Sequence, residues 1–339
     1  MGRKRKEADK WMPAKTYRGK SAYEYRPTKG VCIRLCSLDS KKSVVIRRHA
    51  DEYEKFHTNK GTVKELGDMF FQSVQFTDLK PNTRKDYEKH WKPLNAVFGK
   101  MDARKVKPEH VRKYMDIKGQ TSQTQANRQH SLFSRIFSWG FERGHVPLNP
   151  CKGVAKFSEK ARDRYIEDWE YEAVYHCASD PLKVAMEFSY LLAARKQDVL
   201  ALTKDQFREE GIYIKQSKTD KEQIKVWTPR LEEAKRLSET LETNTATFYV
   251  VPQKSGQPYT SSGFDSLWAK ARKEARKQTG KKLDFTFHDI KAKGVSDYEG
   301  DKQKFSGHKT ASQVATYDRK IAVVEALNVP SISKPKNTK

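Results

Sequence analysis

The sequence predicts a mainly α-helical α+β protein with three parts: a small basic N-terminal module, a helical domain and a mixed α/β domain. Apolar residues recur at helical spacing through most of the chain, whereas the β-like runs are short. The 339 residues are enough for two or three domains, and the 11% of aromatic residues provide apolar area for packed cores.

Positive charge is the dominant feature of the composition. The chain has 68 Lys and Arg against 43 Asp and Glu, a formal net charge of +25. The self-repulsion of such a chain is offset when it binds a polyanion, so nucleic acid is the first expected partner. An anionic membrane surface is the second, but no apolar run approaches the roughly 18–20 residues that a bilayer span needs.

The cysteines and the charged first residues indicate a cytoplasmic protein without a metal. No apolar stretch follows Met1–Lys6, so this segment does not resemble a secretory signal. Cys32 and Cys36 could form half a zinc site, but no second Cys/His pair follows at ligand spacing. Reduced thiols are therefore the favoured interpretation, and we expect no metal and no cofactor.

Residues 1–57 are predicted to form the basic N-terminal module. Residues 1–60 contain 17 Lys and Arg against 7 Asp and Glu, a net charge of +10. Strands are expected at Val31–Leu35 and Val44–Ile46, followed by a helix near Asp51–Phe56. The candidate DNA contacts of the leading basic arm are Arg3, Lys4 and Arg5.

Three tyrosines of this module lie among cations, which favours a contact with DNA over packing in a small β unit. These tyrosines are Tyr17, Tyr23 and Tyr25.

Residues 58–152 are predicted to form the helical domain. A capping box at Thr62–Glu65 begins the first helix, Pro81 and Pro108 open the next two, and a fourth ends before Gly144. The apolar stripes of these helices are expected to pack. Their polar faces carry candidate DNA contacts, which would otherwise be ordinary solvated charges: Arg84, Lys85, Arg128 and Arg135.

Residues 160–328 are predicted to form the mixed α/β domain, after a linker at 150–160, and residues 329–339 a flexible tail. The expected elements of the domain are helices near Asp168 and Asp180, a hairpin of Ile212–Gln216 and Ile224–Trp227, a helix from Pro229, a strand at Phe248–Val251 and a helix carrying Phe264 to Ala275.

This last domain contains the side chains that metal-free transesterification on DNA requires. The chemistry needs an oxygen nucleophile, cations that hold the phosphate oxygens, and an acid that protonates the leaving 5′-oxygen. The candidates, in chain order, are Arg195 where two helices meet, Lys218 in the hairpin turn, His288 and Lys291 three residues apart, His308 after Gly307, and Tyr317 nine residues beyond His308.

In identity and order, these residues resemble the signature of the tyrosine recombinase (phage integrase) family. That signature is an arginine, a hairpin lysine, His-x-x-Arg, Gly-His and a tyrosine about nine residues later. The helical domain resembles the core-site DNA-binding domain of the family, and the N-terminal module resembles its arm-binding modules. The resemblance thus covers most of the chain.

The resemblance implies a role for each residue. Arg195 and Lys291 would clamp the scissile phosphate, and Lys218 would protonate the leaving 5′-oxygen. Both histidines would hydrogen-bond the phosphate, and His288 would also assist proton transfer from Tyr317. The product would be a 3′-phosphotyrosyl link, which conserves the ester bond energy and requires neither ATP nor a metal.

The resemblance also implies partners and a setting. The partners would be double-stranded DNA attachment sites of core and arm type, further copies of the chain in a tetramer on DNA, and an accessory DNA-bending protein, with no membrane. The reaction would integrate or excise a phage or other mobile element in the cytoplasm of a bacterial host, at the nucleoid.

The sequence departs from the family pattern at Lys291, where the family usually has a second arginine. Lysine neutralises a phosphate as a point charge and lacks the planar fork of arginine, so the exchange is not chemically neutral. The stretch from His288 to His308 is also shorter than is usual. Lys215 and Lys221 are close rivals of Lys218 for the hairpin position.

Two alternatives involve related proteins. A DNA-binding protein of the same architecture that has lost catalysis is favoured only by Lys291. A type IB topoisomerase uses similar tyrosine chemistry, but the helical domain and the basic N-terminal module fit a recombinase better. A metabolic enzyme is disfavoured because the sequence has no phosphate-cradling glycine-rich loop.

Overall fold

The structure is a computed structural model that describes residues 7–28, 30–58 and 61–328. The chain divides into two compact units, residues 1–160 and 161–339. The predicted DNA contacts Arg3, Lys4 and Arg5, and the predicted tail at 329–339, lie outside the described residues.

The N-terminal module is an antiparallel sheet of three strands with a helix packed against it. The strands are β1 (Thr16–Arg18), β2 (Ala22–Tyr25) and β3 (Ile33–Ser37), in the order β1-β2-β3, and the helix is α1 (Lys42–Thr58). Its core is formed by Met12, Tyr23, Tyr25, Leu35 and Val45.

Two predictions for this module are wrong. Val44–Ile46 belongs to α1 and is not a strand, because Val45 and His49, four residues apart, both bury their side chains. The packing of that face therefore outweighs the strand preference of β-branched residues. Tyr23 and Tyr25 are buried in the core, so they are not available as DNA contacts, whereas Tyr17 is 46% exposed.

The helical domain contains five α-helices in the described part of residues 58–160. They are α2 (Val63–Phe71), α3 (Val74–Thr77), α4 (Pro81–Phe98), α5 (Pro108–Thr121) and α6 (Gln123–Glu142). Thr62 caps α2 by accepting a hydrogen bond from the Glu65 N–H at 3.3 Å. Apolar side chains of α2, α4, α5 and α6 form the core of this domain.

The segment after α6 is not helical, but it is attached to the domain. The Asn127 side chain accepts from the Phe157 N–H at 2.9 Å and donates to the Phe157 carbonyl at 2.8 Å. These bonds satisfy a buried amide and fix the chain just before the second unit begins.

The second unit, over its described residues 161–328, contains eight α-helices and one hairpin. These elements are α7 (Asp168–His176), α8 (Asp180–Leu191), α9 (Lys196–Leu200), β4 (Gly211–Lys215), β5 (Glu222–Val226), α10 (Pro229–Glu239), α11 (Ser261–Thr279), α12 (Phe287–Asp297), α13 (Lys302–Ser306) and α14 (Ala311–Ala315). The last of them, α14, is a short helix that ends two residues before Tyr317.

Helices α8 and α12 pack closely at the centre of this unit. Gly294 permits the approach, since a Cβ there would overlap the Tyr190 carbonyl oxygen. The predicted hairpin is present as the antiparallel pair β4–β5, with both strands shifted by one or two residues. The mainly helical α+β fold that the sequence predicts is confirmed.

The predicted strand at Phe248–Val251 is wrong. Within this segment, strand-like pairing is limited to an isolated bridge between Tyr249 and Thr203. Val250 and Val251 are fully buried, whereas Phe248 is 81% exposed. The run is therefore apolar because it packs into the core, and not because it belongs to a sheet.

Among the described residues, no helix is both long and apolar enough to cross a membrane. The same residues contain no group of three or more His, Cys, Asp or Glu that could hold a metal ion.

Candidate active site

Arg195 lies at the junction of α8 and α9, as the residue that precedes the first turn of α9. The left-handed backbone of Ala193, with φ of +47°, turns the chain there. The Arg195 side chain is 15% exposed, and its Nη1 lies 3.8 Å from the Asp198 carboxylate. The junction thus presents a nearly buried guanidinium at a fixed position.

The hairpin turn with Lys218 is fastened to the same junction. Asp198 Oδ1 accepts hydrogen bonds from the Ser217 N–H at 3.0 Å and from the Ser217 hydroxyl at 2.6 Å. Lys218 itself is exposed. Lys215, another candidate for the hairpin lysine, pairs with Glu222 at 2.9 Å across the hairpin. The Lys215 amine is therefore already engaged in an ion pair.

Helix α12 supplies His288 and Lys291 from one face. Lys291 is fully buried, and its Nζ has no hydrogen-bond partner among the described residues. Burial lowers the pKa of Lys291 to about 7, and the nearby charge of Arg195 acts in the same direction. A lysine in this state carries much less charge at neutral pH than a solvated one.

His308 follows α13, which ends at Gly307 in the left-handed conformation with φ of +68°. The Ser306 hydroxyl donates to the Lys302 carbonyl at 2.7 Å and lies 2.6 Å from His308 Nδ1. In this arrangement Nδ1–H donates to Ser306, and Nε2, which is buried without a partner in the described part of the chain, is the free acceptor. Burial, with the charges of Lys291 and Arg195, lowers the pKa of His308 to about 4.

Tyr317 lies among these groups. Its hydroxyl oxygen is 3.2 Å from His288 Nε2, and its ring stacks on His308 with centroids 4.6 Å apart. Lys291 Nζ lies 5.4 Å from the centre of the same ring. Burial, and then the charge of Lys291, lowers the pKa of His288, so its imidazole is neutral at pH 7 and can accept a proton.

The structure thus brings together five of the six predicted catalytic residues: Arg195, His288, Lys291, His308 and Tyr317. The sixth, Lys218, lies in the attached turn with its side chain in solvent.

Gln216 is a site residue that sequence reasoning missed. Its Oε1 accepts from Arg195 Nη1 at 2.8 Å, and its Nε2 donates to the Ser306 carbonyl at 2.9 Å. It therefore links the arginine junction, the hairpin and the segment before His308. A polar residue at a predicted strand end, two positions before Lys218, was the available signal.

The predicted DNA contacts of the helical domain occupy different environments. Lys85 and Arg128 are exposed, although Arg128 lies 3.8 Å from Glu159. Arg84 and Arg135 are half-buried, and the Arg135 guanidinium lies 5.8 Å from the centre of the Tyr87 ring. Their contact with DNA stays a prediction.

Comparison with known proteins identifies the second unit. Residues 164–322 match the model of the phage integrase family. The chain thus carries a phage integrase family domain over these residues. It is therefore a tyrosine site-specific recombinase, as the order of its site residues indicates. No curated protein matches the sequence significantly.

Solved structures of integrases share the fold. A lambda integrase dimer bound to a COC′ core site has a TM-score of 0.66 at 18% identity, covering 95% of this chain and 99% of that chain. A lambda integrase tetramer bound to a Holliday junction has a TM-score of 0.65 at 17% identity, with 89% and 97% covered. A Tn1549 transposon integrase in complex with circular intermediate DNA has a TM-score of 0.63 at 12% identity, with 77% and 96% covered.

Proposed function

We propose that this integrase cleaves and rejoins DNA attachment sites with Tyr317 as its nucleophile. The observation that carries the proposal is the position of Tyr317, whose hydroxyl oxygen lies 3.2 Å from the neutral imidazole of His288. A phenol is a weak acid, so its attack as a nucleophile requires a base within hydrogen-bond reach of the hydroxyl.

In the proposed step, the Tyr317 oxygen attacks the scissile phosphorus as its proton passes to His288. The bond from phosphorus to the 5′-oxygen breaks, and Lys218 protonates that oxygen. Arg195 and Lys291 balance the charge that develops on the non-bridging oxygens. His308 Nε2 hydrogen-bonds the phosphate when it carries a proton. Attack by a 5′-hydroxyl on the phosphotyrosine reverses the chemistry and joins new partners.

The solvent exposure of Lys218 suits its proposed role as the acid that protonates the 5′-oxygen. Its turn is held to Arg195 through Asp198 and Gln216, while the amine extends from the turn into solvent. DNA bound over the site would then bring the 5′-oxygen to the amine. The Lys218 side chain would thus take up its catalytic position only when DNA is bound, and not in the free protein.

The decisive test is covalent trapping on nicked duplex DNA, selected from a random-sequence pool by binding to the protein. A nick beside the scissile phosphate lets the leaving fragment diffuse away and traps the adduct. Wild type and the control Tyr298→Phe, which removes another exposed phenol of the same unit, should form the adduct. Tyr317→Phe should bind and form none.

The absence of an adduct from wild type on a site that it binds would favour the alternative of an inactive DNA-binding protein. Lys291 is the feature that supports this alternative, because a buried lysine replaces the second arginine of the family.

The N-terminal module is proposed to bind arm-type DNA sites. Exposed cations lie on its strands, its loops and α1: Arg18, Lys20, Arg34, Arg47 and Arg48. Together with the net charge of +10 over residues 1–60, they provide the sequence-independent attraction to phosphates that a second DNA site needs.

The proposed assembly is a tetramer on two DNA sites, with an accessory DNA-bending protein, in the cytoplasm of a bacterial host. The segment after Tyr317 favours contact between copies, because four apolar side chains there are at least 81% exposed: Ile321, Val323, Val324 and Leu327. The lambda integrase tetramer on a Holliday junction is a precedent of the same fold. Replacing Val324 and Leu327 by Ser should abolish pairing of two DNA sites in gel-shift assays and preserve binding of one site.

A further inference from the structure

The segment that carries Tyr317 is attached to α12 and α13 by three successive residues. The Ser296 hydroxyl donates to the Tyr317 carbonyl at 3.0 Å and accepts from the Arg319 N–H at 2.8 Å. Asp318 pairs with Lys302 at 2.8 Å. Arg319 Nη1 lies 2.6 Å from Asp289 Oδ1 and also donates to the Arg164 carbonyl at 3.2 Å.

The pair between Arg319 and Asp289 is nearly buried, with side chains only 6% and 2% exposed. Asp289 is well supplied with donors, since Thr286 donates to Oδ2 through its N–H at 2.8 Å and its hydroxyl at 2.9 Å. Burial raises the pKa of Asp289, but the hydrogen bonds from Thr286 and Arg319 outweigh it and hold this pKa below its usual value. The carboxylate therefore stays charged, and separation of the pair would leave the nearly buried Arg319 guanidinium without its carboxylate partner.

The position of this pair relates it directly to the nucleophile. Asp289 follows His288 on α12, and Arg319 is two residues beyond Tyr317. One turn of α12 thus carries both His288, the proposed base, and Asp289, which binds the segment that contains Tyr317. Beyond Arg319, every described residue up to 328 is exposed.

We propose that Arg319 is a positioning residue, whose ion pair with Asp289 fixes the Tyr317 hydroxyl at His288 of the same subunit. The proposal rests on the proposed function of Tyr317. In this role Arg319 acts through the backbone of residues 317–319 and not on the reacting atoms. The exposed segment after it can then move or contact another copy without withdrawing the tyrosine.

The structure offers a matched control in Arg162. Its Nε lies 3.0 Å from the other oxygen of the same carboxylate, Asp289 Oδ2, but its side chain is 42% exposed and Arg162 does not belong to the tyrosine segment. Replacement of Arg162 removes one cation from Asp289 but keeps the ion pair between Arg319 and Asp289.

The test measures single-turnover formation of the covalent adduct on the nicked site, together with DNA affinity. Arg319→Ala should lower the first-order rate by roughly 10²-fold, the effect of a displacement of about 1 Å, with unchanged affinity. Arg319→Lys should recover part of the rate, because it restores a cation opposite Asp289. Arg162→Ala should stay within about 3-fold of wild type, as expected for a partly exposed ion pair.

Amide hydrogen exchange of the full-length protein provides a readout that does not depend on cleavage. Arg319→Ala should accelerate exchange at residues 317–319, while exchange in α12 stays as in wild type. If Arg319→Ala is poorly folded, Ser296→Ala replaces it, since the Ser296 hydroxyl binds the backbone of the tyrosine segment at both Tyr317 and Arg319. It should show the same pattern with a smaller loss of rate.

Three results would overturn the proposal: cleavage by Arg319→Ala at the wild-type rate, equal losses for Arg319→Ala and Arg162→Ala, or faster exchange throughout α12. The last two would make Arg319 a general stabiliser of Asp289. Failure of the proposed function itself is distinct, because wild type would then form no adduct, whereas the exchange difference could still be measured.

Discussion

His288 Nε2 and the Tyr317 hydroxyl oxygen lie 3.2 Å apart, although 29 residues separate them in the chain. The pair combines a neutral imidazole, whose pKa is lowered by burial and by Lys291, with a phenol that, as the proposed nucleophile, must lose its proton on attack. This relationship makes His288 the structurally favoured base.

His288→Gln should therefore lower the rate of adduct formation by about 10²–10⁴-fold, the usual contribution of a general base. DNA affinity should change little. The control His176→Gln alters an exposed histidine on α7 and should leave the rate unchanged. The measurement is single-turnover cleavage of the nicked site. Equal rates for His288→Gln and wild type would assign proton removal to another group.

Lys291→Ala should impair cleavage much more than binding. The amine is buried beside Arg195 and Tyr317, where it can act on the phosphate but contributes little to the general attraction for DNA. Adduct formation and filter-binding affinity, measured on the same site, check this. Normal cleavage by Lys291→Ala would show that Lys291 does not clamp the phosphate.

DNA binding should draw a proton onto Lys291. Its pKa is about 7 in the free protein, so at pH 8 the amine is mostly neutral, and a bound phosphate favours its charged form. Titration calorimetry at pH 8, in buffers of different ionisation enthalpy, should show proton uptake by wild type. Lys291→Arg, which is always charged, should take up fewer protons. Identical uptake by both proteins would contradict the assignment.

The same lysine should reduce stability in a pH-dependent way. The pKa of Lys291 is lowered from 10.5 to about 7 in the folded protein. The destabilisation caused by burying the charged amine is therefore complete below pH 7 and decreases as the pH rises towards 10.5. Lys291→Met should thus increase the free energy of unfolding by roughly 1–4 kcal/mol at pH 6 and by much less at pH 10. Urea titrations at the two pH values measure this difference.

Lys293 is a control for that experiment, because its replacement should change the free energy of unfolding in the opposite direction. It is also buried, but its Nζ pairs with Asp168 at 2.5 Å and with Asp297 at 3.0 Å. Burial lowers the pKa of Lys293, yet the hydrogen bonds to Asp168 and Tyr165 outweigh it and raise the pKa. Lys293→Met should lower the free energy of unfolding by about 1–3 kcal/mol, because the Asp297 carboxylate, which is 17% exposed, loses a charged hydrogen-bond donor.

Gln216→Ala should lower the cleavage rate by releasing Arg195 and the segment before His308 together. We expect a loss of about 10-fold or more, since both groups that are proposed to bind the phosphate lose their alignment. Gln223→Ala is the matched control, because Gln223 donates to the neighbouring Lys304 carbonyl at 2.5 Å from the same hairpin. Equal rates for the two variants would exclude a special role of Gln216.

Deletion of residues 1–57 should weaken binding to arm-type sites and flatten the salt dependence, while core-site binding persists. Each phosphate contact that is lost should reduce the slope of log K against log salt by about 0.9. Affinities at several salt concentrations provide the measurement. An unchanged slope would mean that the cations of this module do not contact DNA.

The sequence was a good guide wherever a local pattern dictates local structure. Pro81 and Pro108 are the first residues of α4 and α5, and the hairpin lies within two residues of its predicted bounds. The strands predicted at Val44–Ile46 and Phe248–Val251 were wrong for a common reason. Short apolar runs have the same composition in a strand, a buried helix face and a buried loop, and only packing distinguishes them.

The identities and chain order of the site residues were also accessible from the sequence, and the resemblance to the phage integrase family is confirmed by the match over residues 164–322. Gln216 and Arg319 were not accessible in this way. Gln216 reaches Ser306 over 90 positions, and Arg319 reaches Asp289 over 30. A hydrogen bond between distant segments leaves no periodicity in either one.

The sequence by itself thus determined the fold class, the nucleophile candidate and the departure at Lys291. The tertiary structure alone decided how these groups behave. It buries the Lys291 amine away from any partner in the described residues, leaves Lys218 in solvent and places His288 against Tyr317. The physical reason is that charge state and reactivity depend on burial and on neighbours, and both arise only when distant parts of the chain pack together.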